Sequence, residues 1–138
     1  MISVLVADDS ALVRRLVTGV LSEAAGIQVV GTACNGEQAL AKVDQLRPDL
    51  VTLDIEMPVM DGLTAMRELR RRHPRLPVIM FSTLTKDGAA ATLDALEAGA
   101  SDYITKPTNS LSLAESLTDV RRQLIPRVRA LTAARLPS

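Results

Sequence analysis

Five short apolar runs, each followed by a stretch with helical spacing, constrain this chain more than any other feature. The runs are residues 2–7, 27–33, 50–55, 78–81 and 102–105, and the first four are rich in Val and Ile. They are too short for helices, and continuous apolarity suits strands buried on both faces of a parallel sheet. Between them, apolar residues recur near every 3.6 positions. Leu12, Leu16, Val20 and Leu21 follow Ser10, a plausible N-cap, and Gly26 stops that helix. Ala39, Leu40, Val43 and Leu46 follow Asn35-Gly36, and Leu63, Met66 and Leu69 follow Asp61-Gly62. An Ala-rich segment over 89–98 ends at Gly99. Strand–helix alternation repeated five times predicts an α/β domain: a five-stranded parallel sheet, flavodoxin-like, in the order 2-1-3-4-5, doubly wound with five helices.

The last helix begins near Ser112, with Leu113, Leu117, Val120, Leu124, Val128 and Leu131 in one stripe. Pro126 lies within that stripe and is expected to kink it or end its first half. The expected organisation is a domain over residues 1–125 and a basic helical tail over 126–138, either a solvated surface helix or, as the stripe outlasting Pro126 favours, a linker toward something else. Charge supports the division, because residues 1–107 carry 11 basic and 14 acidic side chains while residues 108–138 carry five and two. The whole chain balances 16 Lys and Arg against 16 Asp and Glu, which excludes nucleic-acid binding by bulk charge. No apolar run approaches the roughly 20 residues of a membrane span. The single Cys34 forms no internal disulfide, and together with the absence of a signal-like start it points to the cytoplasm.

In an open α/β sheet, ligands bind beyond the carboxyl ends of the strands. Those ends carry Asp8-Asp9-Ser10, Asp54-Ile55-Glu56, Ser82-Thr83 and Lys106-Pro107. Strands one and three are neighbours in the expected order, so Asp8, Asp9 and Asp54 converge. Like charges that close repel unless neutralised, and the available remedies are a divalent cation and the Lys106 ammonium. An all-oxygen ligand set selects Mg²⁺ or Mn²⁺. Such a site suits phosphoryl transfer, with a carboxylate attacking phosphorus to form an acyl phosphate and Ser82 or Thr83 donating to a phosphoryl oxygen. Taken alone, Asp8-Asp9 could equally be helix-capping chemistry. Asp54 has no cap to make.

The set Asp8-Asp9, Asp54 followed by Met57-Pro58-x-x-Asp61-Gly62, Ser82-Thr83 and Lys106-Pro107 resembles the receiver domain of two-component response regulators. The resemblance implies that Asp54 is the phospho-acceptor. It also implies that Asp9 binds Mg²⁺ directly, Asp8 largely through water, and Glu56 through its backbone carbonyl. By the same likeness Ser82, or Thr83 beside it, is the switch hydroxyl, Lys106 binds the phosphate, Lys106-Pro107 is a cis peptide and Tyr103 is a switch aromatic. A narrower resemblance, to the receiver of chemotaxis protein-glutamate methylesterases, rests on residues 29–33, 48–58, 81–89 and 95–103. It implies a chemotaxis-type histidine kinase as phosphodonor and a C-terminal esterase as output, with the basic last helix placed like the linker between them.

The chain itself is not expected to hydrolyse esters. Its one histidine, His73, lies in Arg70-Arg71-Arg72-His73-Pro74, and Gly99-Ala100-Ser101-Asp102-Tyr103 lacks the second glycine of a nucleophile elbow. The Arg70–Arg72 run and Arg75 read as a solvated helix end, and Cys34 as an inert, partly buried thiol. Two other functions remain open on the residues alone. A free-standing receiver could serve as a docking module without phosphotransfer, although a scaffold has no need of repelling carboxylates. An aspartate-nucleophile phosphatase usually has a second aspartate two residues after the first, where this chain has Glu56. A dinucleotide enzyme is disfavoured because Asp-Asp-Ser, not a glycine-rich turn, follows the first strand.

Overall fold

A computed structural model describes residues 1–83, 85–108 and 110–133. Strands β1 (Ile2–Ala7), β2 (Ile27–Ala33), β3 (Leu50–Asp54), β4 (Val78–Ser82) and β5 (Asp102–Thr105) alternate with five helices. These are α1 (Ala11–Glu23), α2 (Gly36–Leu46), α3 (Gly62–Arg72), α4 (Lys86–Glu97) and α5 (Leu113–Thr132). All strand pairs are parallel and the sheet order is β2-β1-β3-β4-β5, as the sequence pattern implies. Alternate side chains of the central strands divide into two cores. Leu5, Val51, Leu53, Val78 and Met80 face α2, α3 and α4, where Leu40, Val43, Met66 and Leu69 meet them. Val4, Val6, Leu50, Ile79 and Phe81 face α1 and α5, against Val17, Leu21, Val120 and Leu124. A fully buried Leu or Val contributes about 1.5–3 kcal/mol relative to its exposed state, and this double burial makes the runs continuously apolar.

Every helix is capped by its sequence. Ser10, Asn35, Asp61, Thr85 and Ser112 each accept from a backbone N–H three residues on, and Ser112 with Glu115 completes a capping box. Two expectations about helix faces change. Leu12 is 70 % exposed, and the buried stripe of α1 is instead Val17, Val20 and Leu21, backed by Val13 and Leu16. Leu113 is likewise exposed at the start of α5.

Helix α5 does not end at Pro126 but runs to Thr132. Proline inside a helix costs about 3 kcal/mol. Here Val128 is fully buried with Leu124, and the half-buried Ile125 and Leu131 pack on the same core. Thr132 is also buried, with its hydroxyl on the Val128 carbonyl, and Arg129 donates to the Ala25 carbonyl at 3.0 Å. The packed part of the chain therefore extends past residue 125, and the expected linker residues 134–138 lie outside the described residues.

Candidate functional site

The carboxyl ends of β1 and β3 set the acidic groups side by side. Ala7 pairs with Leu53, so the next residue of each strand, Asp8 and Asp54, emerges at the same edge. Both are buried, at 2 % and 3 % exposure, whereas Asp9 is exposed. Each of the three brings a carboxylate oxygen within 4.8 Å of the others. From β5, Lys106 reaches across with its ammonium 2.9 Å from Asp54 Oδ1 and 3.4 Å from Asp8 Oδ2. Its own N–H donates to the Ser82 carbonyl at 2.8 Å, which fixes the lysine against the end of β4.

The local turns hold the carboxylates in place. The Ser10 N–H donates to Asp8 Oδ1 at 2.9 Å, and the Glu56 N–H lies 3.4 Å from Asp54 Oδ1. Gly62, at the start of α3, sits so close beneath β3 that any Cβ would collide with the Asp54 carbonyl. That contact explains why a glycine follows Asp61 at the start of α3. Asp61 itself is committed to capping α3 through the Thr64 N–H.

One cation serves two buried carboxylates, and the electrostatics reflect the shortfall. Burial, opposed by the Lys106 hydrogen bond and reinforced by the Asp8 charge, pushes Asp54 up to about 7. Asp8 is raised as well, by burial first, although the Ser10 N–H and Lys106 oppose it. Burial pulls Lys106 down, but its bonds and charge pairing with Asp54 and Asp8 outweigh that and hold it above its ordinary value. Asp54 Oδ2 is buried with no hydrogen-bond partner among the described residues. An orphaned anionic oxygen inside an all-oxygen donor set, beside an exposed carboxylate open to water, fits a hard divalent cation.

The other expected site residues fall around this cluster at different distances from it. Ser82 is the last residue of β4 and is buried, with its hydroxyl 3.4 Å from the Ile104 carbonyl, a weak bond. Thr83 is exposed and shares a 3.1 Å contact with the Thr85 hydroxyl; it borders the narrow cleft over Asp54 with Ser82 and Lys106. The Glu56 side chain is exposed. Tyr103 is not part of the acidic cluster: it is 44 % exposed and lines a largely apolar groove with Leu93 and Leu96 of α4. The cis peptide expected at Lys106-Pro107 is a correction, since no peptide bond among the described residues is cis. The trans isomer is intrinsically favoured by about 0.5–1 kcal/mol before proline, and with it the lysine already spans both carboxylates.

Arg14 is a residue that spacing did not single out. Its guanidinium donates to the Asp8 carbonyl at 2.8 Å. A cation one turn into a helix that opens beside two aspartates was the available signal. His73 pairs with Asp44 of α2 at 2.8 Å, at the far end of α3 from the acidic cluster.

Residues 4–118 match the response regulator receiver domain family. A protein-glutamate methylesterase/protein-glutamine glutaminase of Nocardioides sp. is 58 % identical over 97 % of this chain and 37 % of its own length. One of the same description from Bacillus subtilis is 48 % identical over 93 % of this chain and 35 % of its own. The chain thus spans about a third of the curated relatives it matches. Among solved structures, the response regulator domain of Thermotoga maritima CheB superposes with a TM-score of 0.85 at 40 % identity, covering 96 % of this chain and 97 % of that one. A CheX–CheY complex with BeF3 and Mg²⁺ from Borrelia burgdorferi superposes at 0.71 with 34 % identity, covering 89 % of each chain.

Proposed function

The chain belongs to the response regulator receiver domain family, and from that premise we propose that it is a phosphorylation switch governing a methylesterase domain like that of its relatives. The observation that carries this reading is the buried Asp54, with Lys106 on one carboxylate oxygen and no hydrogen-bond partner for the other among the described residues. The unpartnered Oδ2 is the nucleophile. It attacks the phosphorus of a phosphohistidine on a chemotaxis-type kinase; the O–P bond forms, the P–N bond breaks and the imidazole leaves with the bond's electron pair. Lys106 moves from pairing two carboxylates to pairing one and a phosphoryl oxygen. Asp8, Asp9, Asp54 and the Glu56 carbonyl would hold a Mg²⁺ or Mn²⁺, which would supply the remaining neutralisation of the carboxylates and of the equatorial oxygens.

The phosphoryl group then draws in a hydroxyl. Ser82 is the better candidate, because its hold on the Ile104 carbonyl is weak and it sits at the strand end beside Asp54, whereas Thr83 is engaged with Thr85. Moving Ser82 disturbs its β5 neighbour, and Tyr103 in the adjoining groove reads the change as a rotamer shift. Residues 126–138 lead toward the output domain on this reading, with the described turns up to Thr132 docked on the receiver as the end of α5. The domain works in the cytoplasm, where the single thiol of Cys34 stays reduced.

Intact-mass measurement after incubation with acetyl phosphate tests the proposal. A single phosphoryl adduct is expected with Mg²⁺, none with a chelator and none in Asp54→Asn. Stoichiometric labelling of Asp54→Asn would overturn the assignment.

A further inference from the structure

We propose that Arg14 is a positioning residue for the divalent cation, acting through the backbone of the turn that carries Asp8 and Asp9. The inference rests on the metal-dependent reading above. Asp8 is held from four directions. Its N–H donates to the Ala33 carbonyl of β2, its Oδ1 accepts from the Ser10 N–H, its Oδ2 faces Lys106, and its own carbonyl accepts from Arg14. Three of these tethers come from the backbone or from the lysine that phosphorylation redirects. Arg14 is the side-chain tether independent of the acceptor.

Helix energetics do not account for an arginine at this position. The first turn of a helix favours acidic residues, and α2, α4 and α5 have Glu37, Asp87 and Glu115 there. Helix α1 has no acidic residue in its first turn and carries Arg14 and Arg15 just behind it. Direct charge pairing does not account for it either, because the ion pair of the Asp8 carboxylate is with Lys106, while Arg14 reaches the carbonyl. What remains is the 2.8 Å bond to a carbonyl at the end of β1, on a residue that is 2 % exposed. Without it the carbonyl loses that donor, and the turn bearing two mutually repelling carboxylates is free to relax outward. Asp8 and Asp9 would then no longer meet Asp54 at cation-binding distance. Residues that orient metal ligands typically account for about 10–100-fold in metal affinity.

The test is Mn²⁺ binding by electron paramagnetic resonance, with no phosphodonor present. It uses the wild type, Arg14→Met, Arg14→Lys and Arg15→Met. The methionine keeps the aliphatic stem and removes the guanidinium, while Arg15→Met removes the same charge from an exposed neighbour. Arg14→Met is expected to bind about 10-fold more weakly, with Arg14→Lys intermediate and Arg15→Met like the wild type. In acetyl-phosphate labelling, Arg14→Met should need more Mg²⁺ for half-maximal rate yet approach the wild-type rate at saturation. If Arg14→Met is too unstable to purify, the Lys variant carries the comparison. Equal affinity in the wild type and the folded Arg14 variants overturns the inference, as does an equal loss in Arg15→Met. Absence of Mn²⁺ binding in the wild type overturns the metal-dependent reading, and the inference with it.

Discussion

The buried Asp54 carboxylate should destabilise the very fold that holds it, and replacing it should stabilise the metal-free protein. Asp54 has an ordinary value of 3.8 and is pushed up to about 7 in the folded chain, mainly by burial. Between those values the folded state holds a proton that the unfolded state has released. Stability therefore falls as pH rises through this window, and the whole penalty applies above about pH 7. Three units at about 1.36 kcal/mol each set a ceiling near ~4 kcal/mol. Lys106 loses its shorter partner in Asp54→Asn but keeps Asp8, which takes back part of the gain. The net expectation at pH 8 is about 1–3 kcal/mol of added stability, or roughly 3–9 °C in Tm for a domain of this size. The assay is thermal unfolding of wild type and Asp54→Asn in chelator from pH 5 to pH 8.5. The difference between the two should grow with pH and level off above about 7. Carboxylates held below their ordinary values, Asp44, Glu68 and Glu115, lose their contribution only at lower pH, and they cancel in the difference. Excess Mg²⁺ should stabilise the wild type more than the variant. A variant no more stable than wild type at pH 8, or a difference independent of pH, would refute the reasoning.

Two further outcomes follow from the packing. Gly62→Ala should lose about 1–3 kcal/mol in urea unfolding and slow acetyl-phosphate labelling, because the new Cβ must displace the Asp54 carbonyl that shapes the site. Ending the chain after Ile125 should cost about 2–4 kcal/mol relative to ending it after Thr132, since Val128 and the half-buried Leu131 leave the α1–α5 core. Equal urea midpoints for the two lengths would show that the last turns of α5 do not stabilise the receiver.

The strand–helix alternation and the chemistry at the strand ends were legible because both are local. A strand buried on two faces must be largely apolar, and β1, β3 and β4 announce themselves that way, with Ser3 and Thr52 as the polar residues inside them. A polar residue at the carboxyl end of such a strand stands at the sheet's edge, so Asp8, Asp54, Ser82 and Lys106 could be assigned to one edge before any coordinate was known. Side chains whose partners come from distant segments were not legible. Arg70 reads as part of a solvated helix end, yet it turns inward, with Nε and one terminal nitrogen on the Gly99 carbonyl and the other on the carbonyls of His73 and Pro74. Only Arg71, Arg72 and Arg75 of that cluster are exposed.

By itself, then, the amino-acid order determined the periodicities, the caps and the residues that stand at the carboxyl edge of the sheet. Each of these depends on a few neighbours and on whether a position is wet or dry. Tertiary structure alone decided that α5 continues through Pro126, where burial of Val128 and its neighbours opposes the proline's cost. It also decided that Lys106, just past β5, reaches the carboxylates at the ends of β1 and β3. Both outcomes rest on contacts between segments far apart in sequence, at distances that exist only once the sheet is assembled.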